Sequence, residues 1–161
     1  MDDFLGERDT WTSEGCSIAG ALDLVGARST LLLLREASLG TTRFGDFVSR
    51  VGLSEPMAAR RLKDLVGEGL LERRSYREPG SRAREEYRLT AKGQALVPVL
   101  MALRQWGDEY ASPEAGPTLR MAHADCGAEL RVEVRCAAGH RVGRGEVEVT
   151  PGQAWCVADL L

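Results

Sequence analysis

Apolar residues recur at helical intervals in two adjacent segments of this chain, and this spacing constrains the fold more than any other feature. In residues 44–51 they share one face, which comprises Phe44, Phe47, Val48 and Val51. In residues 55–69 the inward stripe comprises Ala58, Leu62, Leu65, Val66 and Gly69. Between the segments, Ser54 is placed to cap the second helix, and Pro56 falls in its first turn, where a missing N–H costs nothing. The pattern predicts two short helices joined by a tight turn.

An arginine-rich β-hairpin is predicted directly after the second helix, over residues 70–77 and 84–90. The turn signal is Pro-Gly-Ser at residues 79–81, with Arg82 and Arg84 beside it. Long cationic side chains at a hairpin tip are attracted to a phosphate backbone or a minor groove. Because glutamates are interleaved with the arginines, a solvated, salt-bridged surface hairpin is the alternative interpretation.

Two helices and a basic hairpin together predict a winged helix-turn-helix, whose chemistry is binding to duplex DNA. The charge distribution agrees with this interpretation. The whole chain has a net charge of −3, which argues against a general polyanion binder. Residues 41–92, however, contain twelve Lys and Arg against eight Asp and Glu, while the remainder contains nine against sixteen. Basic charge is therefore concentrated in the proposed DNA-reading unit.

Residues on the exposed side of the second helix and along the hairpin are the candidates for DNA contact. On a helical wheel Arg60 and Lys63 lie opposite the inward stripe, with Arg61 on its flank. The predicted DNA-contacting residues are Arg43, Ser54, Pro56, Ala59, Arg60, Arg61, Lys63, Arg74, Arg77, Arg82 and Arg84.

A series of motifs between residues 16 and 110 resembles the HxlR-type bacterial transcriptional regulators, winged-helix relatives of the MarR group. The motifs include Thr-Leu-Leu-Leu-Leu-Arg-Glu at 30–36, Arg-Phe-Gly-Asp-Phe at 43–47, Gly-Leu-Leu-Glu-Arg-Arg at 69–74, Glu-Tyr-Arg-Leu-Thr-Ala-Lys-Gly at 86–93 and Trp-Gly at 106–107. The resemblance implies a cytoplasmic homodimer that binds an operator with inverted half-sites and represses a neighbouring gene.

The second helix departs from the family pattern at two positions. Relatives commonly have Asn and Ser where this chain has Pro56 and Ala59, which offer only apolar contact, for instance to a thymine methyl group. Base reading would then depend on Arg60, Arg61 and Lys63. The departure also supports an alternative function, a winged helix used for contact with another protein, although the basic wing argues against it.

A long apolar stripe after residue 91 predicts a helix that packs against a partner. It extends over about twenty residues, and Pro98 is expected to kink it near its first third. The resemblance implies that the N-terminal and C-terminal helices build a dimer interface. The predicted interface residues are Ile18, Leu22, Leu96, Val99, Leu100, Leu103 and Trp106.

The composition changes to a linker near residue 112, which divides the chain into residues 1–112 and 113–161. In the second part Leu130, Val132 and Val134 alternate with charged residues, and Val147 and Val149 repeat the pattern. The expected fold is therefore α+β and mainly helical: a winged helix-turn-helix with flanking dimerisation helices and a small C-terminal β appendage of two or three strands.

Four residues of the C-terminal part are candidate zinc ligands. They form a His-x2-Cys pair and a Cys-x3-His pair separated by nine residues, and comprise His123, Cys126, Cys136 and His140. Two thiolates and two imidazoles can close a tetrahedral structural site that stabilises a small domain. Neither half is the usual Cys-x2-Cys knuckle, so ordinary packed or surface residues are the alternative, and no cofactor is required.

Cys16 corresponds to an N-terminal cysteine that some members of the resembled family use as a redox switch. Such a thiol needs solvent access and a stabilised thiolate, and a helix N-terminus favours the thiolate. The alternative is a small residue that merely packs. A redox or small-molecule effector is therefore a candidate partner, and the C-terminal part is a second candidate for its sensor.

An enzyme and a membrane protein are both disfavoured by the sequence. No glycine-rich phosphate loop and no nucleophile with a local base are present, and both histidines lie after residue 120. The leucine run at residues 31–34 is too short to span a membrane. The first residues, Met-Asp-Asp-Phe, lack the basic region of a signal peptide, so a cytoplasmic location is expected.

Overall fold

Helices make up most of the regular structure of the described residues, which also contain one two-stranded antiparallel sheet. The computed structural model describes residues 15–77, 84–111 and 113–150. Its elements in chain order are α1 (Ser17–Val25), α2 (Arg28–Ser38), α3 (Phe44–Val51), α4 (Glu55–Gly67), β1 (Leu71–Tyr76), β2 (Arg84–Leu89), α5 (Ala91–Gln94) and α6 (Val97–Tyr110). The predicted α+β, mainly helical winged helix-turn-helix is confirmed.

The chain divides into two units. The main unit is Gly26–Val132 and contains every element from α2 to α6. The second unit combines Met1–Val25 with Glu133–Leu161, and α1 is its only regular element among the described residues. The segment directly after α6, up to Val132, therefore groups with the winged helix.

Apolar side chains from α2, α3, α4 and the start of β1 form the core of the main unit. Its fully buried large residues are Leu33, Leu34, Phe47, Leu62, Leu65, Leu70 and Leu71. Full burial of a side chain of this size contributes about 1.5–3 kcal/mol. Phe47 also meets the buried Tyr87 of β2 edge to face, with ring centroids 6.1 Å apart. This contact joins α3 to the wing, so the core fixes the helix pair and the hairpin together.

Glycines with a positive φ end both helices of the helix-turn-helix. Gly52 follows α3 with φ 70°, and Gly69 follows α4 with φ 67°. After α4, the Gly69 N–H donates to the Val66 carbonyl at 3.0 Å, and the next N–H donates to the Leu65 carbonyl at 2.9 Å. This double closure satisfies the last carbonyls of the helix, and it requires a residue that tolerates the left-handed conformation. The chain therefore enters β1 directly from the end of α4.

Thr90 and Gly93 fix the junction between the wing and α5. The Thr90 hydroxyl donates to the Gly69 carbonyl at 2.6 Å and accepts from the Gly93 N–H at 3.1 Å, so it caps α5. A Cβ added at Gly93 would lie 2.1 Å from the Leu70 carbonyl oxygen. Only glycine permits this close approach between α5 and the residue that precedes β1.

The predicted kink at Pro98 is wrong. Instead of one bent helix, α5 ends at Gln94 and α6 begins at Val97, so Pro98 lies in the first turn of a new helix. The N–H groups of the first turn have no acceptor within the helix, so a proline there loses no hydrogen bond. In a helix interior its ring would clash with the preceding turn. The apolar stripe is therefore interrupted by a break in the helix.

The predicted β appendage is also wrong for the described part of the extension. Residues 113–150 contain no regular strand, and only isolated bridges pair Ala122 with Glu129 and Arg135 with Arg141. An alternating sequence forms a stable strand when one face is covered. Here Val134 and Val147 are more than half exposed, so their burial does not stabilise a sheet.

Within the described ranges, no single helix is long and apolar enough to cross a membrane. Only α1 and α2 counted together reach the necessary length and hydropathy.

Candidate nucleic-acid interface

The outer face of α4 consists of small and basic residues. Ala58, Leu62 and Leu65 point into the core, and the predicted contact residues Pro56, Ala59, Arg60 and Lys63 are all exposed. Neither Arg60 nor Lys63 forms an ion pair with another described residue. Both side chains are therefore available to a DNA groove.

Arg61 is placed differently from its two basic neighbours. It is half-buried, and one of its Nη atoms lies 3.9 Å from the Asp64 carboxylate one turn later. Its Nε is buried and has no hydrogen-bond partner in the described part of the chain. Arg61 therefore points along the helix flank more than outward, a position suited to a backbone phosphate.

Ser54 occupies the N-cap position of α4 with extended backbone angles, as predicted, but its side chain makes no capping hydrogen bond. Its carbonyl accepts the first helical bond, from the Ala58 N–H at 2.9 Å. The predicted side-chain cap is therefore wrong. Because the exposed hydroxyl is not used by the helix, it can donate to a phosphate oxygen next to the helix N-terminus.

The arginines of the wing are interleaved with glutamates, as the alternative interpretation of the hairpin required. Three ion pairs join Arg73 to Glu85 at 3.3 Å, Arg74 to Glu72 at 2.6 Å and Arg88 to Glu86 at 2.7 Å. Exposed pairs of this kind contribute about 0–1 kcal/mol. They hold the side chains along the strands, and the predicted contact residue Arg74 is already paired with a carboxylate.

The end of the wing keeps more exposed positive charge. Arg84 begins β2 directly opposite Tyr76 and is exposed, without an ion pair in the described ranges. Arg77, which follows β1, is also exposed. Arg82 and the predicted turn at residues 79–81 lie outside the described residues.

Arg43 anchors the start of α3 on the wing, a role that the sequence pattern did not indicate. Its guanidinium lies 5.3 Å from the centre of the Tyr76 ring. Its backbone forms an antiparallel bridge with Glu86, and the Tyr87 N–H donates to the Thr42 carbonyl at 2.8 Å. The chain before α3 therefore pairs with β2 like a short third strand. Such pairing depends on tertiary packing, so no local sequence pattern predicts it.

A buried polar network connects α2 to α3. The Glu36 carboxylate, which is 7% exposed, accepts from the Thr41 hydroxyl at 3.1 Å and from Arg35 at 2.7 Å. Arg50 in turn donates to the Thr41 hydroxyl oxygen at 2.7 Å. Because a buried carboxylate is costly unless it is paired, this network fixes the position of α3 relative to α2.

Most predicted interface residues of α6 are exposed and lie on one face. Val99, Leu103, Trp106 and Tyr110 follow at helical spacing, and each is at least 51% exposed. Trp106 and Tyr110 contact one another, with ring centroids 5.5 Å apart. A hydrogen bond to Glu109 and its negative charge raise the pKa of Tyr110 above its ordinary value. Leu96 and Leu100 are less exposed and do not belong to this face.

The candidate zinc ligands are divided between two turns. The His123 Nδ1 lies 3.3 Å from the Cys126 sulfur, and the Cys136 N–H donates to the His140 carbonyl at 3.0 Å. Among the described residues, no group of three His, Cys, Asp or Glu side chains could hold a metal ion. The zinc site stays a prediction from sequence, which metal analysis of untagged protein tests: about one zinc per chain supports it.

Cys16 is exposed and directly precedes α1, where its carbonyl accepts from the Gly20 N–H at 3.0 Å. On the same helix Ile18 and Leu22 lie one turn apart, and both are more than half exposed. The thiol therefore has the solvent access that a redox role requires.

Comparisons with known proteins agree with this geometry. The model of the family described as HxlR-like helix-turn-helix matches residues 24–115. The chain is 39% identical over 140 residues to Rv3095 of Mycobacterium tuberculosis, an uncharacterized HTH-type transcriptional regulator, covering 86% of this chain and 87% of that protein. The whole helix pair and wing lie inside these matched ranges.

Two solved structures have the same fold. PA1607, a candidate transcription factor, is 34% identical with a TM-score of 0.75, and the match covers 85% of this chain and 95% of PA1607. PA1374 of Pseudomonas aeruginosa, also a candidate transcription factor, is 31% identical with a TM-score of 0.59, covering 88% and 96% of the two chains. Each match covers more of the chain than the part that ends with α6, so both extend beyond that helix.

Proposed function

Since this chain belongs to the HxlR-like helix-turn-helix family of transcriptional regulators, we propose that it acts in the cytoplasm as a homodimeric repressor on an inverted-repeat operator. The family is one of DNA-binding regulators, and the chain is not an enzyme. The finer features of the proposal rest on two surfaces: the outer face of α4 and the exposed apolar face of α6.

The exposed face of α6 supports the homodimer. A stripe of large apolar residues at helical spacing is unfavourable in water, and such patches mark surfaces that contact another protein. The stripe contains Val99, Leu103, Trp106 and Tyr110. Ile18 and Leu22 of α1 are also exposed and apolar, and we propose that they form a second surface that contributes to the homodimer.

Two copies of α4 in such a dimer would read two half-sites. For a two-fold symmetric dimer, the half-sites lie about 34–36 Å apart, one turn of DNA, and are inverted because the protein copies are related by rotation. In each half-site Arg60 and Lys63 are assigned to base edges. Arg61, Ser54 and Arg84 are assigned to phosphates, which position the protein without selecting a sequence.

The single observation that carries the proposal is the coexistence of an unpaired basic face on α4 with an uncovered apolar stripe on α6. Light scattering should give about twice the 17.5 kDa mass of one chain at micromolar concentration. DNA fragments selected by the protein from its own genome should contain inverted half-sites. Equal affinity for an isolated half-site and for the inverted pair would contradict the dimeric mode.

A redox signal at Cys16 is a second candidate for regulation. The supporting observation is the exposed thiol immediately before α1, which carries the exposed residues Ile18 and Leu22. Oxidation by peroxide should change the operator affinity of the wild type and leave that of Cys16→Ser unchanged. Equal responses of the two proteins would remove Cys16 from the mechanism.

A further inference from the structure

A cavity of about 370 Å³ lies within the main unit, between α2, α6 and the segment that follows α6. Its lining is mostly apolar and includes Leu32 of α2, Leu100 and Met101 of α6, and Leu119 from the following segment. Cavities that bind small molecules commonly measure about 300–1,000 Å³ and combine apolar walls with a few polar groups. This cavity has the volume and the lining of such a site.

Hydrogen bonds hold the outer wall of the cavity in place. The segment after α6 contributes Leu119, whose carbonyl accepts from Arg104 at 3.3 Å. Further along, the Gln105 side chain accepts from the Val132 N–H at 2.8 Å and donates to the Val132 carbonyl at 3.5 Å. The segment between α6 and Val132 therefore closes the cavity through specific contacts with α6.

The charged residues of the lining favour an anion. Arg35, Arg104 and Asp108 line the cavity, so its formal charge is positive. One Nη of Arg104 binds the Asp108 carboxylate at 2.5 Å, and Arg35 binds Glu36 at 2.7 Å. The Nε of each arginine is nevertheless buried without a hydrogen-bond partner among the described residues. That atom is closed to a ligand, but the second Nη of each guanidinium donates to no described residue and can donate to a ligand carboxylate.

A second copy of the chain does not explain this cavity. On a helix of 3.6 residues per turn, Val97, Met101 and Arg104 lie about half a turn away from the exposed stripe around Val99 and Trp106. A partner helix that covers the stripe therefore meets the opposite side of α6. Leu103, at the border, is the one residue of the stripe that also lines the cavity.

We propose that this cavity binds a small apolar molecule that carries one carboxylate or similar anionic group. The apolar body lies between α2 and α6, and the anionic group binds Arg35 and Arg104. Control of DNA binding by a ligand in this cavity rests on the proposed regulatory function, whereas binding of the ligand does not. Since Glu36 at the end of α2 holds Thr41, an occupant that moves α2 relative to α6 carries the helix pair and the wing with it as one body and changes operator affinity.

The test uses two fluorescent probes with nearly the same ring system and the purified full chain. One probe, 1-anilinonaphthalene-8-sulfonate, is an anion, and the other, N-phenyl-1-naphthylamine, is neutral. We expect one site per chain and about tenfold tighter binding of the anion, the gain typical of one charge-assisted hydrogen bond. Octanoate should displace the anionic probe.

Three variants locate the site. Arg104→Gln should abolish the preference for the anionic probe and retain the neutral one, while Met101→Trp should fill the cavity and weaken both. Val134→Ser, at an exposed apolar residue that neither lines the cavity nor belongs to the stripe of α6, is the matched control and should leave both unchanged. Thermal unfolding of each variant establishes that it is folded.

Probe binding that survives Met101→Trp, or that is lost in Val134→Ser, would overturn the proposal, as would equal affinity for the two probes. Operator binding is measured separately in a gel shift without probe. Failure of that assay would refute the regulatory function while leaving the binding result intact.

Discussion

The basic residues of α4 differ in their exposure and in their contacts with the rest of the protein. They are Arg60, Arg61 and Lys63. Arg60 and Lys63 are exposed without an ion pair among the described residues, while Arg61 is half-buried beside Asp64. A side chain that already has a partner must exchange it for DNA, which reduces the net gain on binding. The three residues should therefore contribute unequally to base reading.

Replacing Arg60 by alanine should weaken operator binding and relax base preference at one position. The expected loss is about 1–3 kcal/mol, as for a lost bidentate contact to a base. Arg61→Ala should reduce affinity for operator and unrelated DNA alike. Competition binding with operator and scrambled duplexes measures both effects.

Arg141→Ala is the matched control, because Arg141 is an exposed arginine of the extension. An Arg60 variant that discriminates between operator and scrambled DNA as well as the Arg141 variant does would disprove the assignment.

Replacing Gly93 by alanine should destabilise the main unit, because the new Cβ would lie 2.1 Å from a backbone carbonyl oxygen that cannot move independently. Forced overpacking costs about 1–3 kcal/mol. Gly45→Ala in α3 is the control, since its Cβ meets no atom within 4 Å. That change should be neutral or stabilise by about 0.5–1 kcal/mol. Urea unfolding compares the two, and equal stabilities would refute the steric argument.

At the level of elements, α6 is an amphipathic helix with two different apolar sides. One side, including Leu100 and Met101, faces the cavity toward α2, and the other presents the stripe around Trp106. The apolar pattern predicted the helix but not this division, because both sides are apolar and only tertiary packing distinguishes them.

Trp106→Glu should dissociate the proposed dimer. A charge in the middle of an apolar interface loses its hydration without gaining a partner, and each 1.4 kcal/mol raises the dissociation constant by about tenfold. Light scattering at several concentrations follows the change in mass. Val147→Glu, a change at another exposed apolar residue outside α6, should leave the mass unchanged. A Trp106 variant that remains dimeric would place the interface elsewhere.

Arg84→Ala should flatten the salt dependence of DNA binding, because each phosphate contact releases about one counterion and changes the slope by about 1. Arg74→Ala should have a smaller effect, since Arg74 is already paired with Glu72. Titrations at four salt concentrations give the slopes. Indistinguishable slopes for Arg84→Ala and the wild type would exclude Arg84 as a phosphate contact.

At the scale of the main unit as a whole, residues 113–132 are held to α6 by a few polar contacts instead of a shared sheet. Gln105→Ala removes both side-chain bonds to Val132 and should accelerate hydrogen exchange of the Val132 amide. Operator binding should be unchanged, because Gln105 belongs neither to the outer face of α4 nor to the exposed stripe of α6. Gln94→Ala, at the end of α5, provides the control. Unaltered exchange at Val132 would show that other contacts hold the segment.

The sequence predicted those parts of the molecule whose burial follows from local periodicity. Ala58, Leu62 and Leu65 repeat at helical intervals, so the buried face of α4 and its basic outer face could both be assigned. The break before Pro98 and the lack of strands after α6 could not, because they depend on which surfaces are covered. The cavity and the pairing of Thr42 with Tyr87 combine residues that are distant in sequence.

The hydrogen bond between Thr42 and Tyr87 has a consequence for how the protein can be switched. Together with the Thr90 cap and the Glu36–Thr41 bond, it joins the helix pair and the wing into one structural unit. A signal then cannot reshape the surface that faces DNA without breaking the core. What it can change at low energy is the distance between two such units in a dimer, and a mismatch with the DNA pitch of about 34 Å would release the operator.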